Sequence, residues 1–210
     1  MNFIRIKKNN SYHSRFQVKW RRRREGKTDY YSRKRLICQD KRKFQNQKFR
    51  FVVRISKKYV RCQYVCSFLY GDEIDESTNS RNFLQRINYY TRVNRSLKNF
   101  PIAYLTGAEL AGKYKTKDKN SKPVSAILDI GLTRSTIGQK VFAVMQGAVD
   151  CGIFIPHSEK KFPAYNPKDG FSKEILEERV SGKHILEYRC LLAEGDEEAF
   201  NKQFNPKNNR

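Results

Sequence analysis

Between Val18 and Leu36, nine of nineteen residues are Lys or Arg, and four of them, Arg21, Arg22, Arg23 and Arg24, are consecutive. No hydrophobic core can accept such a run, because every buried charge would need its own partner. The segment must lie outside the core, as a solvated tail, a transport signal, a membrane-surface helix or a grip on nucleic acid. The whole chain carries the same excess: 44 Lys and Arg against 21 Asp and Glu over 210 residues, a net charge of +23. Repulsion on that scale opposes compaction, so a polyanionic partner is implied.

The charge is unevenly placed. Residues 1–60 hold 21 Lys and Arg but 3 Asp and Glu, whereas residues 172–199 hold 4 and 8. This pattern describes a basic arm, a balanced middle and a locally acidic end. A hydrophobic share of 38% with 13% aromatics is enough for a modest core and argues against disorder throughout. The arm is different. Residues 1–40 have too few apolar groups to offset about 1–2 kcal/mol per residue of backbone ordering, so the arm is expected to gain order on its partner.

Other classes fall away. No apolar run reaches the roughly 18–20 residues that span a bilayer, and the N-terminus lacks the apolar stretch of a secretory signal. Five scattered cysteines (38, 62, 66, 151 and 190) do not form a disulfide framework and point to a reducing, intracellular setting. Cys62 and Cys66 lack the second ligand pair of a zinc site, and on a strand they would share a face as buried thiols. His13, His157 and His184 are widely separated.

The coarse reading is α/β. Phe16 and Trp20, four apart, suggest one face of a short helix, with Gly26 as a stop and Thr28 or Asp29 starting a second helix to about Cys38. Residues 49–56 and 59–68 read as a hairpin turning at Lys57-Lys58, the first strand alternating Phe49, Phe51, Val53 and Ile55 with Arg50, Val52, Arg54 and Ser56. Arg50 and Arg54 would then lie on its outer face, open to phosphate. Residues 71–82 read as a polar connection. A helix from about Leu97 to Tyr114 should bury Ala103, Leu105, Leu110 and Ala111. Residues 115–122 read as a loop, 124–132 as a buried strand, 139–152 as a helix and 153–157 as a short strand stopped by Pro156. Short helices broken at Gly182 and Gly195 close the chain. Strand–helix–strand alternation in the middle favours a sheet domain.

Two stretches carry catalytic-looking chemistry. "LDIGLTRSTIG" (128–138) contains Asp129-x-Gly131-x-Thr133 after a strand, as in the first phosphate loop of actin-like ATPases. No Walker A sequence or glycine-rich second loop accompanies it, so a strand-ending turn whose Thr133, Arg134, Ser135 and Thr136 face solvent or a bound backbone is the preferred reading. In "PHSEKKFPAYNP" (156–167), His157 and Ser158 are a base and a nucleophile without an identifiable orienting group. That stretch better describes a rigid basic loop lying on an anion.

The basic run itself has four readings. A solvated tail is disfavoured by Tyr30, Tyr31, Leu36 and Ile37 close by. A membrane helix would want a continuous apolar face, and residues 18–29 offer only Val18 and Trp20. A transport signal needs only a short cluster and is compatible with another role. RNA binding uses every ingredient, with arginine forks for phosphate and planar side chains for stacking.

"FQVKWRRRREGKTDYYSRKRLICQDK" (16–41) closely resembles the N-terminal extension of the eukaryotic large-subunit ribosomal protein family that binds 5S ribosomal RNA. In the same order, "YLTGAELA" (104–111), "LDIGLTRSTIGQKVFAVMQGAVDCG" (128–152), "IPHSEKKFPAY" (155–165) and "EEAFNKQF" (197–204) resemble that family too. The resemblance implies a ribonuclease-H-like mixed-sheet core without catalysis or cofactor, flanked by a basic N-terminal and a helical C-terminal extension. It divides the chain into residues 1–48, 49–165 and 166–210. The family's third strand is not recognisable between Gly71 and Asn94, and the connection from Lys113 to Pro123 is short for the family. The implied partners are 5S ribosomal RNA, large-subunit ribosomal RNA and a second protein of the 5S particle, with assembly in the nucleus or nucleolus and service on the cytoplasmic ribosome. Expected RNA contacts in the arm are Lys19, Arg21, Arg22, Arg23, Arg24, Lys27, Tyr30, Tyr31, Arg33, Lys34 and Arg35. Arg50 and Arg54 would contribute from the sheet, and Thr133, Arg134, Ser135, Lys140, His157, Ser158, Lys160 and Lys161 from the loops.

Overall fold

The computed structural model describes residues 7–37, 49–68, 71–83, 97–117 and 125–204. In the arm, helix α1 (Asn10–Arg15) starts at Asn9, whose side chain accepts the Tyr12 N–H at 2.9 Å. It ends at Phe16, whose backbone is already extended. Phe16 and Trp20 therefore do not share a helix face. Both are exposed, so no buried surface rewards a helical link between them.

Helix α2 (Arg21–Arg24) is a single turn of arginines. It stops as the sequence predicts. Gly26 takes a left-handed φ of +64°, its N–H donates to the Arg23 carbonyl, and the Lys27 N–H reaches back to the Arg22 carbonyl at 3.0 Å. Helix α3 (Tyr30–Ile37) is capped by Asp29, which accepts the N–H groups of Tyr31 and Ser32 and the Ser32 hydroxyl. Cys38 lies outside the described residues.

Strands β1 (Phe49–Ile55) and β2 (Val60–Phe68) form the expected hairpin, with Phe49 opposite Cys66 and Ile55 opposite Val60. The polar stretch that follows is a strand after all. β3 (Gly71–Asn79) pairs antiparallel with β2, with a bulge between the Tyr64 and Val65 positions. Being an edge strand, it needs only one well-packed neighbour, and Thr78 is its only buried residue. No apolar alternation marks it. A 3-10 turn (Ser80–Phe83) follows, and the Ser80 hydroxyl accepts the Val60 N–H at 2.9 Å.

Helix α4 (Phe100–Lys117), strand β4 (Ala126–Asp129) and helix α5 (Lys140–Asp150) complete the core. β4 runs parallel to β1, giving a mixed sheet of order β3-β2-β1-β4. The strand expected at 153–157 shrinks to one parallel bridge, Ser125 with Phe154. A two-residue hairpin, β5 (Tyr165–Asn166) and β6 (Gly170–Phe171), leads to helices α6 (Lys173–Ser181), α7 (Lys183–Gly195) and α8 (Glu197–Phe204). Among the described residues no helix is long and apolar enough to cross a membrane.

One sheet face packs on α4 and α5 through Phe51, Val53, Cys62, Tyr64, Leu110, Val144 and Met145. Cys62 and Cys66 are the buried free thiols the sequence suggests; the Cys62 thiol donates to the Thr106 carbonyl at 3.3 Å, and burial pushes its pKa up. The two helices cross at glycines. A Cβ on Gly107 would overlap the Val144 carbonyl, and one on Gly147 the Tyr104 carbonyl. Ala103, Thr106, Leu110, Ala111 and Tyr114 line the inner stripe of α4, which leaves Leu105 outside it and 49% exposed rather than in the core.

The second face of the sheet is also covered. Val52, Val65 and Arg50 are all buried on it, so β1 is not the half-exposed strand its alternation predicts.

Candidate nucleic-acid interface

A network of charge fills that second face. Arg50, with a side chain only 4% exposed, donates to Asp129 at 2.9 Å and to Asp72 at 2.7 Å. Asp129 in turn accepts Arg54 at 2.9 Å and the Gly131 N–H at 2.9 Å, while Arg54 also donates to the Asp129 carbonyl. The Ser67 hydroxyl bridges Arg50 and Asp72. Arg33 of α3 closes the chain with a bidentate pair to Asp72 at 2.7 and 3.0 Å. Burial alone would raise the Asp72 pKa, but the hydrogen bonds and charges of Arg33 and Arg50 outweigh it and hold the carboxyl at about 2.

This arrangement revises two expectations. Arg50 does not face phosphate, since its guanidinium is enclosed and divided between two carboxylates. A buried arginine is tolerable only with such partners. Arg54 remains 44% exposed, but its bonds run to Asp129 and the Val53 carbonyl. Asp129 is not poised over a metal or a water. Both its oxygens hold arginine, one also caps the turn at Gly131, and the side chain is 7% exposed.

The arm presents a different surface. Lys19, Arg21, Arg22, Arg23, Arg24, Lys34 and Arg35 are exposed. Arg21 and Lys27 share Glu25, at 3.0 and 2.8 Å, which leaves the turn strongly cationic. Backbone and side-chain bonds aim the others: Arg22 donates to the Thr28 hydroxyl and Arg24 to the Lys19 carbonyl. Aromatic rings stand among these cations. Trp20 is 72% and Tyr31 73% exposed, Trp20 meets Tyr30 edge-on at 5.0 Å, and Arg35 lies 5.7 Å over Tyr31. Tyr12 and Phe16 add two more exposed rings. The contacts expected from the sequence do not include Trp20, Phe16 or Tyr12; for Trp20 the sign in the sequence is its place between Lys19 and Arg21.

The loop residues fall into two groups. Thr133, Arg134 and Ser135 are exposed on the turn that Asp129 and Gly131 brace. His157, Ser158, Lys160 and Lys161 are exposed on a short turn, where the Ser158 hydroxyl caps Lys160 and His157 Nδ1 bonds the Ile155 carbonyl at 2.7 Å. The His157 and Ser158 bonds run to the backbone and do not form a base–nucleophile pair. Lys140 stands apart, half-buried at the start of α5 in a cleft with Phe100, Pro101, Ile137 and Ile185; burial first, and then the charge of Lys98, lowers its pKa. Among the described residues no group of three or more His, Cys, Asp or Glu could hold a metal ion.

Exposed cations interleaved with stacking rings, carried on an α/β sheet whose tempting carboxylate is locked by arginine, define an RNA-binding structural protein. The family described as ribosomal large subunit proteins 60S L5 and 50S L18 matches residues 14–119 and 111–158. The large ribosomal subunit protein uL18 of Theileria annulata is 39% identical over 231 residues, covering 97% of this chain and 74% of the relative. Its counterpart in Chaetomium thermophilum is 40% identical over 231 residues, with the same coverage. That of Bombyx mori is 39% identical over 228 residues, covering 97% and 75%. The chain belongs to this family of ribosomal large-subunit proteins, which is structural and not enzymatic.

Proposed function

We propose that this protein binds 5S ribosomal RNA and helps dock it on the large subunit. The observation that carries the reading is the arm between Lys19 and Arg35, where cations and rings are exposed together while the nearby carboxylates are engaged internally. Arginine forks position phosphates and exposed rings stack on unpaired bases, so both parts of RNA recognition are supplied by one segment. Residues 1–48 then act as an RNA-gripping extension, residues 49–165 as the scaffold and residues 166–210 as a helical extension. Large-subunit ribosomal RNA and a second protein of the 5S particle complete the surroundings, with assembly in the nucleus or nucleolus before service on the cytoplasmic ribosome.

The test compares binding of 5S ribosomal RNA with an unrelated structured RNA of equal length, at matched salt. Tighter binding to 5S RNA, persisting as salt rises, is expected. Equal affinity for both would overturn the 5S assignment and leave only a general attraction to polyanions.

A further inference from the structure

Asp72 and Asp129 pose an electrostatic puzzle. Two carboxylates stand between the arm and the loop after β4, Asp72 on a strand that also carries Glu73, Asp75 and Glu76, and each should weaken RNA binding by its charge alone. Their geometry supplies a reason. The chain Arg33–Asp72–Arg50–Asp129–Arg54 runs without interruption from the arm to the loop after β4, each link a hydrogen-bonded ion pair of 2.7–3.0 Å. At one end stands α3, which carries Tyr31, Lys34 and Arg35. At the other, Asp129 caps Gly131, whose φ of +65° turns the backbone toward Thr133, Arg134 and Ser135.

We infer that Asp72 is a positioning residue for RNA binding, clasping α3 to the sheet so that the arm and the 131–135 loop form one continuous RNA surface. The inference rests on the RNA reading above and adds the device that shapes the site. Three arginines share two carboxylates, so the network keeps a net positive charge and does not cancel the attraction of the surface it organises. Asp129 is the inner anchor, nearly enclosed. Asp72 is the outer one, 28% exposed at its side chain, and it pairs with Arg33 of the arm. Arg33, expected from the sequence to grip phosphate directly, acts instead through Asp72, because both of its terminal nitrogens are committed to that carboxylate.

The sign of the effect makes the inference testable. Asp72→Asn removes a negative charge, so electrostatics alone predicts equal or tighter RNA binding. Positioning predicts the opposite, roughly tenfold weaker binding to 5S RNA, with the slope of log affinity against log salt unchanged because no phosphate contact is lost. Backbone amides of 30–37 should also exchange faster in the free full-length protein.

Arg33→Met breaks the same clasp from the arm side and leaves the buried Arg50–Asp129 pair intact, so it serves where Asp72→Asn folds poorly. The double variant should bind no worse than either single one, since both remove one link. Unchanged or tighter binding of both RNAs by Asp72→Asn, or additive losses with a shallower salt slope, would overturn the inference. If wild-type protein shows no preference for 5S RNA, the 5S assignment fails separately. The clasp is then judged by the same two variants on whichever structured RNA binds.

Discussion

The arginine turn offers the sharpest quantitative test of how the arm works. Replacing Arg21, Arg22, Arg23 and Arg24 with Ala removes four guanidiniums from α2. None of these residues is buried, and the Arg21 side chain is 83% exposed. Arg21 is partly neutralised by Glu25, which Lys27 also engages, so the loss is closer to three effective cations than four. Each phosphate contact steepens the log–log salt dependence by roughly 0.7–0.9, so the slope should fall in magnitude by about 2–3. Between 50 and 200 mM salt, that difference changes the affinity ratio of wild type to variant roughly 15- to 60-fold. The measurement is a titration of labelled 5S RNA at several salt concentrations. Stability should move by less than about 0.5 kcal/mol, since exposed positions are exchanged for a good helix former and the stop at Gly26 uses backbone bonds. A slope that stays put while the protein remains folded would refute the phosphate role and make the run a solvated or transport segment.

Asp129→Asn strips an anionic partner from the enclosed Arg50, and urea unfolding should show a loss of about 3–5 kcal/mol. RNA-free wild-type protein with magnesium should show no nucleotide hydrolysis; turnover that vanishes in this variant would revive the phosphate-loop reading. Gly107→Ala forces a methyl against the Val144 carbonyl at the α4–α5 crossing and should cost about 1–3 kcal/mol, visible as a lower denaturation midpoint. The Asp72 clasp has a lowered folded pKa, about 2 against an ordinary 3.8, so its contribution is complete above about pH 4 and lost as pH falls through 2; exchange at 30–37 should accelerate only in that acid range. On 5S RNA, amides of residues 18–27 should gain more protection than those of 30–37, which the clasp already holds in the free protein, and equal strong protection of both segments without RNA would contradict coupled ordering of the arm.

Local chemistry made much of this protein legible in one dimension. A left-handed glycine after an arginine turn, an aspartate before a helix, an alternating hairpin and the apolar spacing of 140–150 each depend on neighbours within a few residues. The stop at Gly26, the helix start at Asp29, the hairpin and the helix over 140–150 appear where the pattern places them, whereas the helix expected to hold Phe16 and Trp20 does not. The charge excess and its concentration in the arm also point to a polyanion without any fold, because long-range repulsion depends on composition and position, and the rings among the cations narrow it to RNA. What only tertiary structure decided is which charges are available. Asp72 and Arg33 are 39 residues apart, and Arg50 and Asp129 are 79 apart, so no periodicity announces that they neutralise one another. β3 is hidden from periodicity for the same reason: an edge strand draws its hydrogen bonds from a neighbour, and its side chains need no apolar rhythm. Leu105 lies outside the core, against its apolar character, because the inner stripe of a helix is set by what it packs against. Sequence thus determined the partner class and where the positive charge gathers, whereas folding alone selected which arginines stay exposed and which are enclosed with carboxylates.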